Sequence, residues 1–202
     1  MKNSVAKIGK ILLIGGGGHC KSVIDVIEQE GKFEIAGIVD NPELLGSSIL
    51  GYSVIGNDSD LVSLAKTIKY AIVAVGHIKT SSNRIKLFDY ASKAGFTFPS
   101  IISPNAYVSR HASIGSGTII MHHALINSGV TIAENCIINS KALIEHDSEV
   151  SNHCHISTNA IVNGGVFVGE GSFIGSGVTT RESIKIRKNS FIKAGSIVAE
   201  SL

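Results

Sequence analysis

Along the second half of the chain the apolar positions fall on a period of six. From Ile102 to Val198 every sixth residue is Ile or Val except Thr180, so sixteen of seventeen registers conform. At the share of Ile and Val in this chain, about four would do so by chance. A six-residue period is neither that of a helix nor that of a simple strand; it belongs to hexapeptide-repeat β-helices. Each hexad reads as a short strand, with its aliphatic residue pointing into a prism, followed by a corner. The residue two positions earlier also points inward, because strand side chains alternate. Those positions stay small through Ala106, Ala112, Thr118, Ala124, Val130, Cys136, Ala142, Ser148 and Cys154, and only Ile184 is large. The remaining positions carry Gly, Asn, Asp, Ser and His, which suit tight corners. Three hexads close one triangular coil, so about five coils stack. Stacking buries a continuous column that no single coil could bury alone. At Thr180 the column lapses, and the segment 180–183 is expected to form a loop or a distorted corner.

The first hundred residues show a different pattern. Residues 10–14 (KILLI) form an apolar run, then come Gly15, Gly16, Gly17 and Gly18, and then a helical stretch over 19–30. A second strand, FEIAGIV, leads to Asp40, a further buried strand covers 70–75, and a second helix covers about 80–94. Strands alternating with helices predict a small parallel α/β domain over 1–100, followed by an all-β helical domain over 101–202. The glycine turn opening a helix presents backbone N–H groups to a pyrophosphate, and Asp40 at the end of the second strand suits a ribose or a base. A complete dinucleotide fold is not indicated. Cys20 stands where a third glycine belongs after Gly15 and Gly17, and the domain is short for two mononucleotide halves. One half-site, holding the nucleoside diphosphate of an activated sugar, fits the length better.

Composition changes this picture little. The net charge of +2 with no basic run gives no reason to expect a nucleic-acid partner. The basic opening MKNSVAKIGK is followed by an apolar stretch that four glycines interrupt at once, which argues against a secretory leader or a membrane span. A cytoplasmic location is expected. The three cysteines, Cys20, Cys136 and Cys154, have no metal-ligand spacing, and the last two fall at inward positions, so all are expected to be reduced.

The order of domains and the motifs GGGGHCKSVIDV, VDN, AVGH, IEHDSEV and SNHCHIS resemble the bacterial nucleotide-sugar N-acetyltransferases related to the sialic-acid O-acetyltransferases. Within that group the chain is most similar to the UDP-4-amino-sugar acetyltransferases of the bacillosamine pathway. The resemblance implies a left-handed β-helix, a homotrimer with active sites between subunits, and acetyl-CoA as co-substrate with no metal. The implied reaction is acetylation of the 4-amino group of a nucleotide-linked, UDP-bearing dideoxy sugar. An amine attacking a thioester must lose a proton, which calls for a base that works near neutral pH. His146 follows the inward Ile144 by two residues, which puts its ring on an outward corner, and Asp147 beside it can hold one tautomer. His146 and Asp147 are therefore the expected catalytic pair, Asp147 standing where the family usually has Glu.

By the same resemblance, cofactor contacts fall on His155, Gly164, Ser176 and Gly195, along a groove between neighbouring prisms. Contacts with the nucleotide sugar fall on Gly17, Gly18, His19, Asp40, Asn41, Val75 and Gly76, and His77 stands where asparagine is common. Other readings stay open here. The acceptor could be a dTDP- or GDP-linked amino sugar, or a hydroxyl of sialic acid. A β-helical zinc carbonic anhydrase needs converging histidines, two of them five residues apart in that family, and no two histidines here have that separation. A non-catalytic sugar-nucleotide binder is the remaining class.

Overall fold

The computed structural model describes residues 7–202. Part of the opening segment on which the leader argument rests, residues 1–6, lies outside them. The first domain begins with β1 (Gly9–Ile14), α1 (Gly18–Glu30) and β2 (Phe33–Val39). A hairpin of β3 (Ser48–Ile49) and β4 (Tyr52–Gly56) follows, then α2 (Leu61–Leu64), β5 (Tyr70–Val73) and α3 (Ser82–Ala94). The sheet order is β3-β4-β2-β1-β5, parallel except for β3. Helix α1 buries Cys20, Val23, Ile24, Val26 and Ile27 on one face and stops at Gly31, whose left-handed backbone returns its N–H to the Ile27 carbonyl. The hairpin was not legible in the sequence.

Seventeen two-residue strands, β6 (Ile101–Ile102) through β22 (Ile197–Val198), then wind into a three-sided prism with every lateral pairing parallel. Residues eighteen apart lie side by side: Leu125 pairs with Leu143 and Leu143 with Ile161. The periodic Ile and Val residues form one buried column. Complete burial of such a side chain is worth roughly 1.5–3 kcal/mol, so the column is the main source of the domain's stability. Each corner carries one left-handed residue, again every sixth position from Gly117 to Gly195. Where that residue is not glycine it is His123, Asn135, Lys141, Asp147, His153, Asn159, Ser183 or Asn189, a set rich in the side chains that best tolerate this conformation.

The expectation at Thr180 is corrected. Thr179–Thr180 is an ordinary strand, paired with Ile161 and with Ile197–Val198, and the coil runs on without an insertion. Thr180 is buried, but its hydroxyl accepts the Asn163 backbone N–H at 3.0 Å, so the polar atom is satisfied within the column.

The three faces of the prism differ in their outward residues. One face presents Ile101, Ile119, Ile137, His155, Phe173 and Phe191; all but Phe191 are buried, and at its start Ile101, Ile119 and Met121 pack into the same core as Val23 and Ile27 of the first domain. A second presents Tyr107, Leu125, Leu143, Ile161, Thr179 and Ile197, with Tyr107 and Ile197 strongly exposed. The third is mixed and more polar: Ser113, Thr131, Glu149, Phe167 and Lys185. Cys20, Cys136 and Cys154 are free and buried. Among the described residues no helix is long and apolar enough to cross a membrane.

Candidate functional site

A cleft of about 740 Å³ opens at the carboxyl ends of β1, β2 and β5, where the strand order turns back on itself. Its floor explains the four glycines one by one. A Cβ on Gly15 would lie 2.2 Å from the Val75 side chain, and one on Gly16 would strike Ile49 and Asp40. Gly17 and Gly18 have nothing within 4 Å of that position, so they leave open space rather than fill it. Helix α1 starts there with no side-chain cap and no acidic residue in its first turn, which leaves its first N–H groups for an anionic ligand. Asp40 accepts hydrogen bonds from the Gly16 and Asn41 N–H groups, which fixes the carboxylate at the cleft edge. The cleft brings together all seven residues expected at a nucleotide sugar: Gly17, Gly18, His19, Asp40, Asn41, Val75 and Gly76.

The far wall comes from the prism and from residues that sequence reasoning did not assign. His77, Asn83, Asn139 and His155 line it. His155 points outward from its strand as expected, but the first domain buries it. Its Nδ1 donates to the His77 carbonyl at 2.8 Å, and Nε2 faces the Asn139 amide at 3.3 Å. That pairing makes Nδ1 the protonated nitrogen and Nε2 an acceptor. Burial, with the nearby Arg84 charge, pulls His155 down to about 4 even though the His77 carbonyl works the other way. Burial and then Arg84 bring His19 to about 3. His77 is also held at about 3, by burial, His155 and Arg84, with the Ser172 carbonyl opposing them. The three rings are therefore neutral near pH 7; His155 is hydrogen-bonded through both nitrogens, whereas His19 Nε2 and both ring nitrogens of His77 are buried without a partner.

Arg84 went unnoticed in the sequence, yet its spacing gave a signal. It falls on the stripe Arg84, Leu87, Phe88 and Ala91 that α3 buries. Its side chain is fully enclosed, with Nη1 donating to the Val73 and Val75 carbonyls and Nε to the Asn135 carbonyl.

The second locus is on a different edge of the prism. His146 lies on the corner between β13 (Leu143–Ile144) and β14 (Glu149–Val150). Its Nδ1 donates to the Asp147 carboxylate at 2.9 Å, which leaves Nε2 bare and able to accept a proton. Asp147 is the left-handed residue of that corner, and Glu145 steadies the turn from the other side by accepting from the Asn127 amide and the His146 N–H. Gly164, eighteen residues on, lies directly beneath the ring: a Cβ there would come within 2.8 Å of the imidazole. Around the pair is a cavity of about 730 Å³ lined also by Asn163, Gly165, Glu182 and Ser183.

The other expected cofactor residues lie elsewhere. Ser176 is exposed and hydrogen-bonded to Ser157, and Gly195 is a left-handed corner; both sit on the edge at the opposite side of the apolar face. Among the described residues of one protomer, the Gly-rich cleft and the cavity at the His146 corner share no lining residue, and neither includes Ser176 or Gly195. Among the described residues no three His, Cys, Asp or Glu side chains come together as a metal site.

Residues 10–90 match the PglD N-terminal domain, and residues 111–146 match the bacterial transferase hexapeptide family of six repeats. A comparison with curated protein sequences finds no match. Among solved structures, PerB from Caulobacter crescentus, in complex with CoA and GDP-perosamine, is 32% identical; the match covers 96% of this chain and 91% of that one, with a TM-score of 0.89. The acetyltransferase domain of PglB from Neisseria gonorrhoeae is 31% identical over 96% and 92% of the two chains, also with a TM-score of 0.89. The chain belongs to the nucleotide-sugar N-acetyltransferases. The same PglB domain in complex with acetyl coenzyme A is 30% identical over 96% and 92%, with a TM-score of 0.87. The chain is thus an acetyl-CoA-dependent sugar N-acetyltransferase, and its prism is the left-handed parallel β-helix of that family.

Proposed function

We propose that the acetyltransferase moves the acetyl group of acetyl-CoA onto the 4-amino group of a nucleotide-linked amino sugar, with His146 as the base. The observation that carries the base assignment is the His146–Asp147 pair on an open corner, with one ring nitrogen tied to the carboxylate and the other unoccupied. As the amine nitrogen bonds to the thioester carbonyl carbon, His146 Nε2 takes the proton it sheds. The carbon–sulfur bond breaks, and the thiolate of CoA leaves and is protonated. The nucleotide half of the acceptor belongs in the Gly-rich cleft, its pyrophosphate at the start of α1 and its ribose or base toward Asp40. Asp147 orients the ring.

The separation of the two loci supports a trimer. A nucleotide held in one protomer's cleft does not share a cavity with that protomer's His146, so the reaction calls for the corner of a neighbouring copy. The apolar ladder of Tyr107, Leu125, Leu143, Ile161 and Ile197 supplies a face that such a neighbour would cover. It is flanked by the edge carrying His146 and Gly164 and by the edge carrying Ser176 and Gly195, which is where a groove for the pantetheine arm would form.

The bacillosamine-type resemblance favours UDP as the nucleotide, whereas PerB is in complex with a GDP-linked sugar. The test follows release of free CoA thiol from acetyl-CoA with UDP-, dTDP- and GDP-linked 4-amino sugars, each supplied in turn. Turnover with one of the three, fastest with the uridine compound, is expected, together with a raised melting temperature from the same compound. Turnover with free sialic acid and with none of the three would sink the assignment of the acceptor.

A further inference from the structure

Arg84 carries a charge that no carboxylate among the described residues balances; the one group that favours its charged form is the buried Cys136 thiol. It is fully buried, it takes part in no ion pair with a carboxylate, and three backbone carbonyls receive its hydrogen bonds. Its Nη2 has no partner at all. Burial lowers its pKa to about 10, so the guanidinium is still charged at neutral pH. Removing an ion of this kind from water is costly unless an opposite charge compensates it, and a residue chosen only to staple β5 to the prism would not need the charge.

The position of Arg84 identifies where compensation comes from. It lies behind the wall of the Gly-rich cleft: Asn83 and Leu87, on either side of it in α3, line the cleft, as does Val75, whose carbonyl it holds. The other wall is the uncapped start of α1, itself a site of positive potential. Among the described residues, the only carboxylates lining the cleft are Asp40, already engaged by two N–H groups, and Asp58. We propose that Arg84 is a positioning residue for the acceptor's diphosphate, its enclosed charge being balanced by the bound anion across the cleft wall rather than by a protein carboxylate. The low dielectric of the interior lets such a charge act at a distance that water would screen. The inference rests on the nucleotide-sugar reading above and names the residue that makes the diphosphate, rather than the base or the sugar, the dominant source of affinity.

Calorimetry with UDP, GDP, uridine and guanosine tests it on the wild type, Arg84→Met and Arg84→Lys. Arg84→Met, which keeps the volume and removes the charge, should weaken the better-bound diphosphate about tenfold to a hundredfold while changing its nucleoside less than about twofold, and Arg84→Lys should restore most of the diphosphate binding. Should Arg84→Met fail to fold, Arg84→Lys alone still decides, because a staple made by the guanidinium fork is lost in lysine whereas the charge is kept. Equal weakening of diphosphate and nucleoside in either variant would overturn the inference and leave Arg84 a structural staple. A wild type that binds neither UDP nor GDP would instead bring down the nucleotide reading, and this inference with it.

Discussion

His146 and Gly164 show how much of the setting of the proposed base is decided by what is missing beneath it. The imidazole needs a carboxylate on one side, supplied by Asp147 at 2.9 Å, and room on the other, supplied by the absent Cβ of Gly164. His146→Ala should therefore lower kcat by roughly 10²–10⁴-fold with acetyl-CoA binding near wild type. Gly164→Ala should lower kcat by about tenfold or more with little change in melting temperature, because the added methyl displaces only an exposed ring. Steady-state kinetics beside thermal denaturation separates these outcomes; a Gly164→Ala enzyme with unchanged kcat would mean that the ring is free to move elsewhere. The outward corner placement of His146 was legible because the register of Ile144 fixes which way its neighbours point. Arg84 was not, because a single arginine in a helix ordinarily reads as a solvated charge, and only its place on an otherwise apolar stripe marks it as enclosed.

Three elements meet at the cleft, and each contributes one neutral histidine: His19 from α1, His77 from the loop after β5, and His155 from its strand in the prism. Burial is the first cause of each lowered pKa, with the Arg84 charge acting on all three and His155 and His77 acting on their neighbours. The sign of the consequence is fixed. Below about 6.5 the unfolded chain takes up protons on these rings, whereas the folded protein refuses them until about 4 for His155 and about 3 for the other two. Stability is therefore full above pH 6.5 and falls as the pH drops from 6.5 toward 4, at up to about 1.4 kcal/mol per pH unit for each histidine. Denaturant melts between pH 7 and 4 should show this slope, and His77→Asn should make it shallower; a flat profile would mean that the rings are not enclosed. At this scale the period of six was readable from the chain alone, and the β3–β4 hairpin was not. Its turn is Leu50-Gly51, both with positive φ, and a leucine there hides the Asn-Gly signal that such turns ordinarily give. Thr180 misled for a related reason: a hydroxyl in an aliphatic column looks like a break until Asn163 is seen to satisfy it.

For the whole molecule, the division of labour among the three faces decides where partners go. One face holds the first domain, one is the more polar, and one carries the exposed apolar ladder. Leu125→Glu with Ile161→Glu should leave only monomers by light scattering where the wild type forms the proposed trimer, and reduce acetyl transfer by about a hundredfold or more, while UDP or GDP binding in the cleft stays near wild type. A double variant that is monomeric and fully active would show that one copy assembles the whole site by itself. This face was only half visible beforehand, since an outward Leu or Ile in a strand can equally lie under another domain.

Because residues eighteen apart lie side by side, the prism works as a ruler on which sequence distance is spatial address. Gly164 meets His146, and Asp147 meets Gly129, by counting alone. An insertion of one residue above the first coil would rotate every later side chain out of the column, six would carry the His146 corner onto another face, and eighteen would restore it one storey higher. Such a gene can exchange letters most readily at the exposed strand positions, while its corners stay tied to the left-handed backbone and its length changes in whole turns.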